Sequence, residues 1–212
     1  MNNEIFIKQY KEKIIEVGKL LYDKGYNVGK DGNISMRVDS EHILITQSGA
    51  LLGFLSDDDF VIVDNEGKPA GDEDKTPSSE ITMHIGIYRT RSDVNAIIHA
   101  HAPYCISLSM LDVDTDNNIY AVSMGPIPIT EIAMPSTPDS WEKIKIYVEK
   151  RSKVILRRHG TVTWGKDLTT AFVKLEETEH FAKSLVNALA VKKVNPVNEE
   201  TKQKLFKFWK IK

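Results

Sequence analysis

Two histidines separated by one residue, His99 and His101, follow the largely apolar run 94–98. In an extended strand, side chains two residues apart lie on the same face, so these imidazoles would stand side by side. His159 follows a second apolar run, 154–156, which indicates a third imidazole at a strand end. Three imidazoles with an open fourth position are typical of a catalytic zinc site, although manganese, cobalt or iron would accept the same ligands. The same spacing also fits strand-end histidines bonded to backbone or carboxylate groups.

Three loops of small residues, 29–33, 46–49 and 76–80, could offer amides and hydroxyls to an anion such as a phosphate. In the third loop a threonine followed by proline predicts the start of a helix that runs to about Arg91. Glu80 would then lie in the first helical turn, where serine, threonine and glutamate are favoured in any case. One such loop is explained by helix capping alone, whereas three together favour an anion site.

Three further residues have a chemical and a structural interpretation each. His84 follows Glu80 by four residues on the same helix face, so it is either a ligand or a packing histidine. Tyr120 is either a proton donor or a core or interface tyrosine. Cys105 is the only cysteine, which forbids an internal disulfide and suits a small core residue in a reducing compartment.

The elements that must position these residues alternate between helix and strand, which predicts an α/β fold. Strands are predicted at 33–38, 42–46, 60–63, 94–98 and 154–156, with edge strands at 120–122 and 127–129. Helices are predicted over 10–21, 76–91, 104–110, 141–148 and 167–189, followed by an amphipathic helix in the tail after 196. With no repeat or internal linker, residues 1 to about 194 form one unit.

Composition narrows the range of partners. The chain has 212 residues, with 28 Lys and Arg against 30 Asp and Glu, so its formal charge is −2. Such a charge provides no general attraction for nucleic acid or anionic lipid, which favours a small-molecule ligand. The first residues lack the unbroken apolar core of a signal peptide, and no apolar run is long enough to span a membrane, so we predict a cytoplasmic protein.

The order of short motifs along the chain resembles one known family. The motifs are Gly32-Asn33-Ile34-Ser35, Thr46-x-Ser48-Gly49, Pro77-Ser78-Ser79-Glu80, Asp93-Val94-x-Ala96-Ile97-Ile98-His99-x-His101 and His159-Gly160. Together they resemble the zinc-dependent class II sugar-phosphate aldolase and adducin-head family. The resemblance implies one aldolase-like domain over residues 1–212, with a core over about 5–194 and a helical tail over about 197–212. It also implies a three-layer α/β/α sandwich around a mixed, mostly antiparallel sheet, and a homotetramer with active sites at subunit interfaces.

The resemblance also implies roles for individual residues. His99, His101 and His159 would bind one Zn²⁺ per subunit, and Glu80 would bind it in the resting site and then act as acid and base. Tyr120 would be a catalytic residue contributed across the subunit interface. The substrate phosphate would be held by Asn33, Ser48, Gly49, Ser78 and Ser79.

The implied activity is the reversible cleavage of a ketose 1-phosphate to dihydroxyacetone phosphate and a small aldehyde. Zinc would stabilise the negative charge left on the ketone fragment. A sugar-phosphate 4-epimerase or a thiosugar-phosphate dehydratase of the same family is the main alternative. A non-catalytic module like the adducin head is a third reading, which an intact set of metal ligands argues against.

Overall fold

The computed structural model describes residues 2–71, 74–113, 115, 126–191 and 197–209. Within them the helices are α1 (Asn2–Asp23), α2 (Ile81–Thr90), α3 (Pro103–Ser109), α4 (Pro138–Val148), α5 (Leu168–Val191) and α6 (Glu199–Trp209). The strands are β1 (Asn33–Arg37), β2 (His42–Thr46), β3 (Phe60–Asp64), β4 (Ala96–Ala100), β5 (Lys153–Leu156) and β6 (Gly160–Gly165). Among the helices of these residues, none has the length and apolar character that a bilayer crossing requires.

The strands form one six-stranded sheet in the order β3-β2-β1-β4-β6-β5, in which all neighbouring strands are antiparallel. β6 is missing from the sequence prediction, and it inserts between the two apolar strands β4 and β5. The predicted edge strand at 127–129 is wrong, because it contributes only one parallel bridge between Ile129 and Ile155. Prolines on either side of Ile127 have no N–H to donate to a ladder. The predicted strand at 120–122 lies outside the described residues.

Helices cover both faces of the sheet, which confirms the predicted three-layer α/β/α sandwich. On one face α1, α3 and α5 pack on the sheet, and on the other α2 and α4 do so. Successive side chains of a strand point to opposite faces. In the central strand β4, accordingly, Ile97 lies in the α2 and α4 core while Ile98 lies in the other core. A strand buried on both faces has a nearly continuous apolar sequence, as β4 does.

The predicted first turn of the helix at 76–80 is instead a loop, and α2 begins at Ile81. Pro77 pairs as an isolated bridge with Gln47, just after β2. The Ser48 N–H donates to the Thr76 carbonyl at 2.9 Å, so this segment finds its backbone partners beside β2 and not within a helix. The non-local pairing overrides a local capping pattern, and it places the loop at the end of the central strands.

Candidate metal and anion site

The structure brings together the three histidines singled out in the sequence. His99 is the fourth residue of β4, His101 follows the end of that strand, and His159 lies in the turn between β5 and β6. The three ring centroids are 4.8 to 5.0 Å apart. One nitrogen from each ring lies within 4.8 Å of the others, as the ligands of a single metal ion would. The antiparallel ladder between β4 and β6 produces this convergence of distant segments.

Hydrogen bonds determine which ring nitrogens carry lone pairs toward the centre of the cluster. His99 Nδ1 lies 3.0 Å from the Thr161 carbonyl, which can only accept, so Nδ1 carries the proton. His101 Nδ1 faces an Asp31 carboxylate oxygen at 3.3 Å, which favours the same tautomer. The two Nε2 atoms are left 3.2 Å apart with their lone pairs facing each other. Such a pair is repulsive unless a cation or a proton lies between them.

This geometry fits a zinc ion. Two nitrogens bound tetrahedrally at 2.0 to 2.1 Å lie about 3.3 Å apart, which matches the separation of the His99 and His101 Nε2 atoms. Burial, with the two neighbouring imidazoles, holds the pKa of His99 well below its ordinary value of 6.5. Burial also lowers the pKa of His159 to about 4. Both imidazoles are therefore neutral at neutral pH, the form that binds metals.

Glu80, at the N-terminal end of α2, lines the same cavity as the histidines and is only 6% exposed. Its Oε1 accepts a hydrogen bond from the Ser136 N–H at 2.5 Å. Its Oε2 is buried and has no hydrogen-bond partner in the described part of the chain. A buried carboxylate oxygen without a partner is costly, so this atom is suited to bind a cation or to take up a proton. Ser136 was not predicted as its partner, because it lies 56 residues away in the chain.

A single cavity of about 200 Å³ joins these groups to the loops predicted to bind phosphate. Besides the three histidines and Glu80, its walls include Asn33, Ser48, Gly49, Ser78 and Ser79. The residues to which the resemblance assigns a metal, phosphate or acid and base role thus line one cavity, as far as the structure describes them. Tyr120 lies outside the described residues.

Not all the amides of these loops are available to an anion. The backbone N–H groups of Ser48 and Ser78 already donate to carbonyls of the opposing loop. Gly49 and Ser79 have backbone N–H groups that make no hydrogen bond in the described part of the chain. Gly49 adopts a φ of 78°, a conformation that favours glycine. Among the five residues expected to hold a phosphate, the donors that remain are therefore these two amides, the serine hydroxyls and the Asn33 side chain.

The turn before β1 packs tightly against the histidine strand. Gly32 has a φ of 77°, and a Cβ there would lie 2.7 Å from the His99 carbonyl oxygen and 2.4 Å from Asn27 Nδ2. Asn27 in turn accepts a hydrogen bond from the His101 N–H at 2.8 Å through Oδ1. Only glycine permits this approach, which holds the end of β4 in place.

The same turn brings two side chains of opposite charge to the cavity, Lys30 and Asp31. Lys30 is exposed, and its Nζ lies 3.8 Å from the position that a Cβ on Gly49 would occupy. Among the cavity-lining residues that the structure describes, it is the only lysine or arginine. The sequence interpretation treated this segment as a source of amides and did not assign these two side chains a role.

His84 does not line the cavity. Its ring is fully buried and lies between Ser35 Oγ, at 2.7 Å from Nδ1, and Asn33 Oδ1, at 2.6 Å from Nε2. Burial lowers the pKa of His84 to about 3. Of the two interpretations drawn from sequence, metal ligation therefore does not fit the geometry, and the packing histidine proves to be hydrogen-bonded on both sides.

Comparison with known proteins matches this chain to one family. The profile of the Class II Aldolase and Adducin N-terminal domain matches residues 12–186. An L-fuculose phosphate aldolase of Methanococcus maripaludis is 39% identical over 178 residues, which cover 79% of this chain and 91% of the relative. A 3-oxo-tetronate 4-phosphate decarboxylase of Haemophilus influenzae is 33% identical over 180 residues, covering 82% and 85%. Among solved structures, an L-fuculose 1-phosphate aldolase superposes with a TM-score of 0.83 at 28% identity, covering 94% of this chain and 95% of the other.

Proposed function

The chain belongs to the class II aldolase and adducin N-terminal domain family, and we propose that this lyase is a zinc-dependent aldolase acting on a ketose 1-phosphate. The products would be dihydroxyacetone phosphate and a small aldehyde, with a substrate resembling L-fuculose 1-phosphate. The observation that carries the proposal is the 3.2 Å approach of two unprotonated imidazole nitrogens, in the same cavity as the unpartnered oxygen of Glu80. It supports a divalent metal and a proton-transferring carboxylate in one site.

In this proposal His99, His101 and His159 hold one zinc ion, and Glu80 is its fourth protein ligand before substrate binds. When bound, zinc supplies a Lewis acid that stabilises the negative charge developing on the substrate oxygens. This chemistry requires a coordination position that the substrate can occupy. The proposed ligands line a cavity, which is consistent with such an open position and not with a closed structural site.

Glu80 would move the proton between the ketone fragment and solvent. Its Oε1 is held by the Ser136 N–H, so Oε2 is the atom free to accept the proton and to return it. Such general acid and base catalysis commonly contributes ~10²–10⁴ in rate.

The phosphate of the substrate would be bound by the loops that line the same cavity. The donors proposed for it are Asn33, Ser48, Gly49, Ser78 and Ser79. Because the phosphate does not react, its binding energy can fix the reacting carbons beside Glu80 and the metal ligands.

A test of this function measures dihydroxyacetone phosphate released from L-fuculose 1-phosphate by the zinc-loaded protein. We expect Glu80→Gln to retain zinc and to lose ~10²–10⁴ in kcat. Glu41→Gln, at an exposed position in the turn between β1 and β2, is the matched control and keeps wild-type activity. Wild-type turnover by Glu80→Gln would exclude the acid and base role. Full activity after exhaustive chelation would exclude the metal mechanism and favour a lysine Schiff base.

The second candidate function is decarboxylation of a phosphorylated 3-oxo acid, which the Haemophilus influenzae relative favours by name. Loss of CO₂ from such an acid also leaves negative charge beside a ketone, so the same zinc site would serve it. Release of CO₂ from 3-oxo-tetronate 4-phosphate, without triose formation from a ketose phosphate, would select this reaction. A 4-epimerase would convert its substrate with no net triose, and a thiosugar-phosphate dehydratase would release water.

We also propose that the protein works as a homotetramer, with Tyr120 contributed to a neighbouring site. Ile132 and Met134 are 58% and 66% exposed, and the next two residues, Pro135 and Ser136, line the cavity. Exposed apolar side chains at the mouth of a site are suited to contact a second subunit. Sedimentation analysis tests the assembly, and a monomer with full activity would contradict it.

A further inference from the structure

A buried hydrogen-bonded chain runs from the helix α2 to the wall of the cavity. It begins at the Tyr88 hydroxyl, which lies 2.9 Å from Ser35 Oγ. Ser35 Oγ lies 2.7 Å from His84 Nδ1, and His84 Nε2 lies 2.6 Å from Asn33 Oδ1. All four residues are buried, and of the four only Asn33 lines the cavity. The chain therefore ends on the carboxamide of a residue in the proposed phosphate site.

The donor and the acceptor of each hydrogen bond in this buried chain can be assigned by starting from Tyr88. Burial raises the pKa of Tyr88, so its hydroxyl keeps its proton, and Ser35 Oγ is the acceptor that the described structure offers. Ser35 must then donate its own proton to Nδ1 of His84. The low pKa of His84 keeps the ring neutral, so the single ring proton resides on Nε2 and is donated to Asn33 Oδ1.

Asn33 is thereby left with its amino group as the free end of the carboxamide. Its Nδ2 makes no hydrogen bond in the described part of the chain, although the residue lines the cavity. Register places Asn33 opposite His99 in the ladder between β1 and β4, so the two side chains lie on the same face of the sheet, and both line the cavity. A flipped amide would instead present an oxygen to the cavity, and an oxygen repels a phosphate.

We propose that His84 is a positioning residue that fixes the Asn33 carboxamide with its amino group toward the substrate phosphate. The proposal rests on the proposed function, because it takes Asn33 to be a phosphate ligand. His84 touches neither the substrate nor the metal. It acts by donating a hydrogen bond to Asn33 Oδ1, the carboxamide atom that can only accept. The cavity thus presents the amino group of Asn33 as a hydrogen-bond donor. It favours a ligand group that accepts a hydrogen bond over one that donates.

The test uses the zinc-loaded, full-length protein, with inorganic phosphate as the probe and titration calorimetry as the readout. Asn33→Ala removes the donor, and His84→Phe keeps a flat ring but loses the N–H that orients it. A hydrogen bond to a charged group supports an expected loss of phosphate affinity of about tenfold or more in each variant. In the double variant the affinity is expected to be no lower than in Asn33→Ala, because His84 acts only through Asn33.

Three controls separate positioning from general damage to the fold. Ile87→Val, one turn along α2 in the same core, removes buried volume without touching the chain and is expected to keep wild-type phosphate affinity. Zinc affinity, measured by competition with a chelator, is expected to be the same in wild type and His84→Phe. His84→Gln, whose amide can donate to Asn33, is expected to restore most of the phosphate affinity, and it provides a second measurement if His84→Phe does not fold.

Two results would overturn the proposal, and they are distinguishable. If wild-type protein does not bind phosphate, or Asn33→Ala binds it as wild type does, the phosphate site itself is wrong and the positioning role falls with it. If Asn33→Ala weakens binding but His84→Phe does not, or if the two losses simply add in the double variant, the phosphate site stands and only the role of His84 is refuted.

Discussion

The buried imidazole of His84 makes a specific prediction about how stability depends on pH. The residue is fully buried, and its two ring nitrogens are bonded to Ser35 and Asn33. Its pKa falls from the ordinary 6.5 to about 3 because burial disfavours the charged ring. The folded protein therefore excludes a proton that the unfolded chain accepts.

The sign and size of the effect follow from this difference in proton binding. Between pH 6.5 and about 3 the unfolded state binds more protons at His84 than the folded state does. The free energy of unfolding accordingly falls as the pH falls, by at most ~1.4 kcal/mol per pH unit from this one group. Lowering the pH to about 5 removes ~2 kcal/mol, whereas above 6.5 the contribution is complete and constant.

The assay is urea unfolding of wild type and His84→Gln at about pH 7 and about pH 5, at one protein concentration and with zinc removed by a chelator. Metal must be absent because its binding is itself pH-dependent. The difference in unfolding free energy between the two proteins is expected to shift by ~2 kcal/mol against the wild type at the lower pH. Ile87→Val, which has no titrating group, should differ from wild type by the same amount at both pH values. An equal difference for His84→Gln would refute the reasoning.

Three further substitutions test the turn before β1. Asp31→Asn is expected to weaken zinc binding ~10–100-fold, because its carboxylate lies 3.3 Å from His101 Nδ1 and orients that ring; an unchanged affinity in chelator competition would contradict this. Lys30→Gln should leave zinc affinity unchanged and raise the KM for the phosphorylated substrate ~2–5-fold, and added salt should reduce this increase. A KM equal to that of wild type at low salt would exclude a contact between Lys30 and the substrate phosphate. Gly32→Ala is expected to destabilise the protein by ~2 kcal/mol or more, since its Cβ would meet a side-chain nitrogen at 2.4 Å in addition to the strain of a positive φ. Gly29→Ala, with a φ of 57° and nothing within 4 Å, carries the strain alone, so equal losses in chemical denaturation would rule out the steric argument.

The central strand and its histidines could be predicted because their signals are local. The first three residues of β4 are apolar, as expected for a strand buried on both faces. His99 lies in the same strand, and His101 follows its end. β6 could not be predicted in the same way, because its buried polar residues Thr161 and Thr163 resemble a surface segment. Their hydroxyls donate to Val154 and Ala171 carbonyls, partners that only the folded chain supplies.

The loop at 76–80 shows the opposite case, in which a strong local pattern gives the wrong element. Threonine followed by proline is a good helix start in isolation. In the folded protein the segment is bonded to the end of β2, and α2 begins only at Ile81. The serines nonetheless lie near Glu80 in either form, since a loop and a first helical turn both bring them close to it.

The extended form of this loop has a consequence for catalysis. Ser78 and Ser79, proposed to hold the phosphate, directly precede Glu80, proposed to move the proton. Ser136 then fixes the segment from outside, with its N–H on Glu80 and its hydroxyl 2.8 Å from that of Ser79. Because these two proposed phosphate donors and the carboxylate lie on three consecutive residues, a shift of the loop would move all three together. Such a shift would preserve the separation between the donors of Ser78 and Ser79 and the proton-transferring oxygen, which is the positional control that an intramolecular-like proton transfer requires.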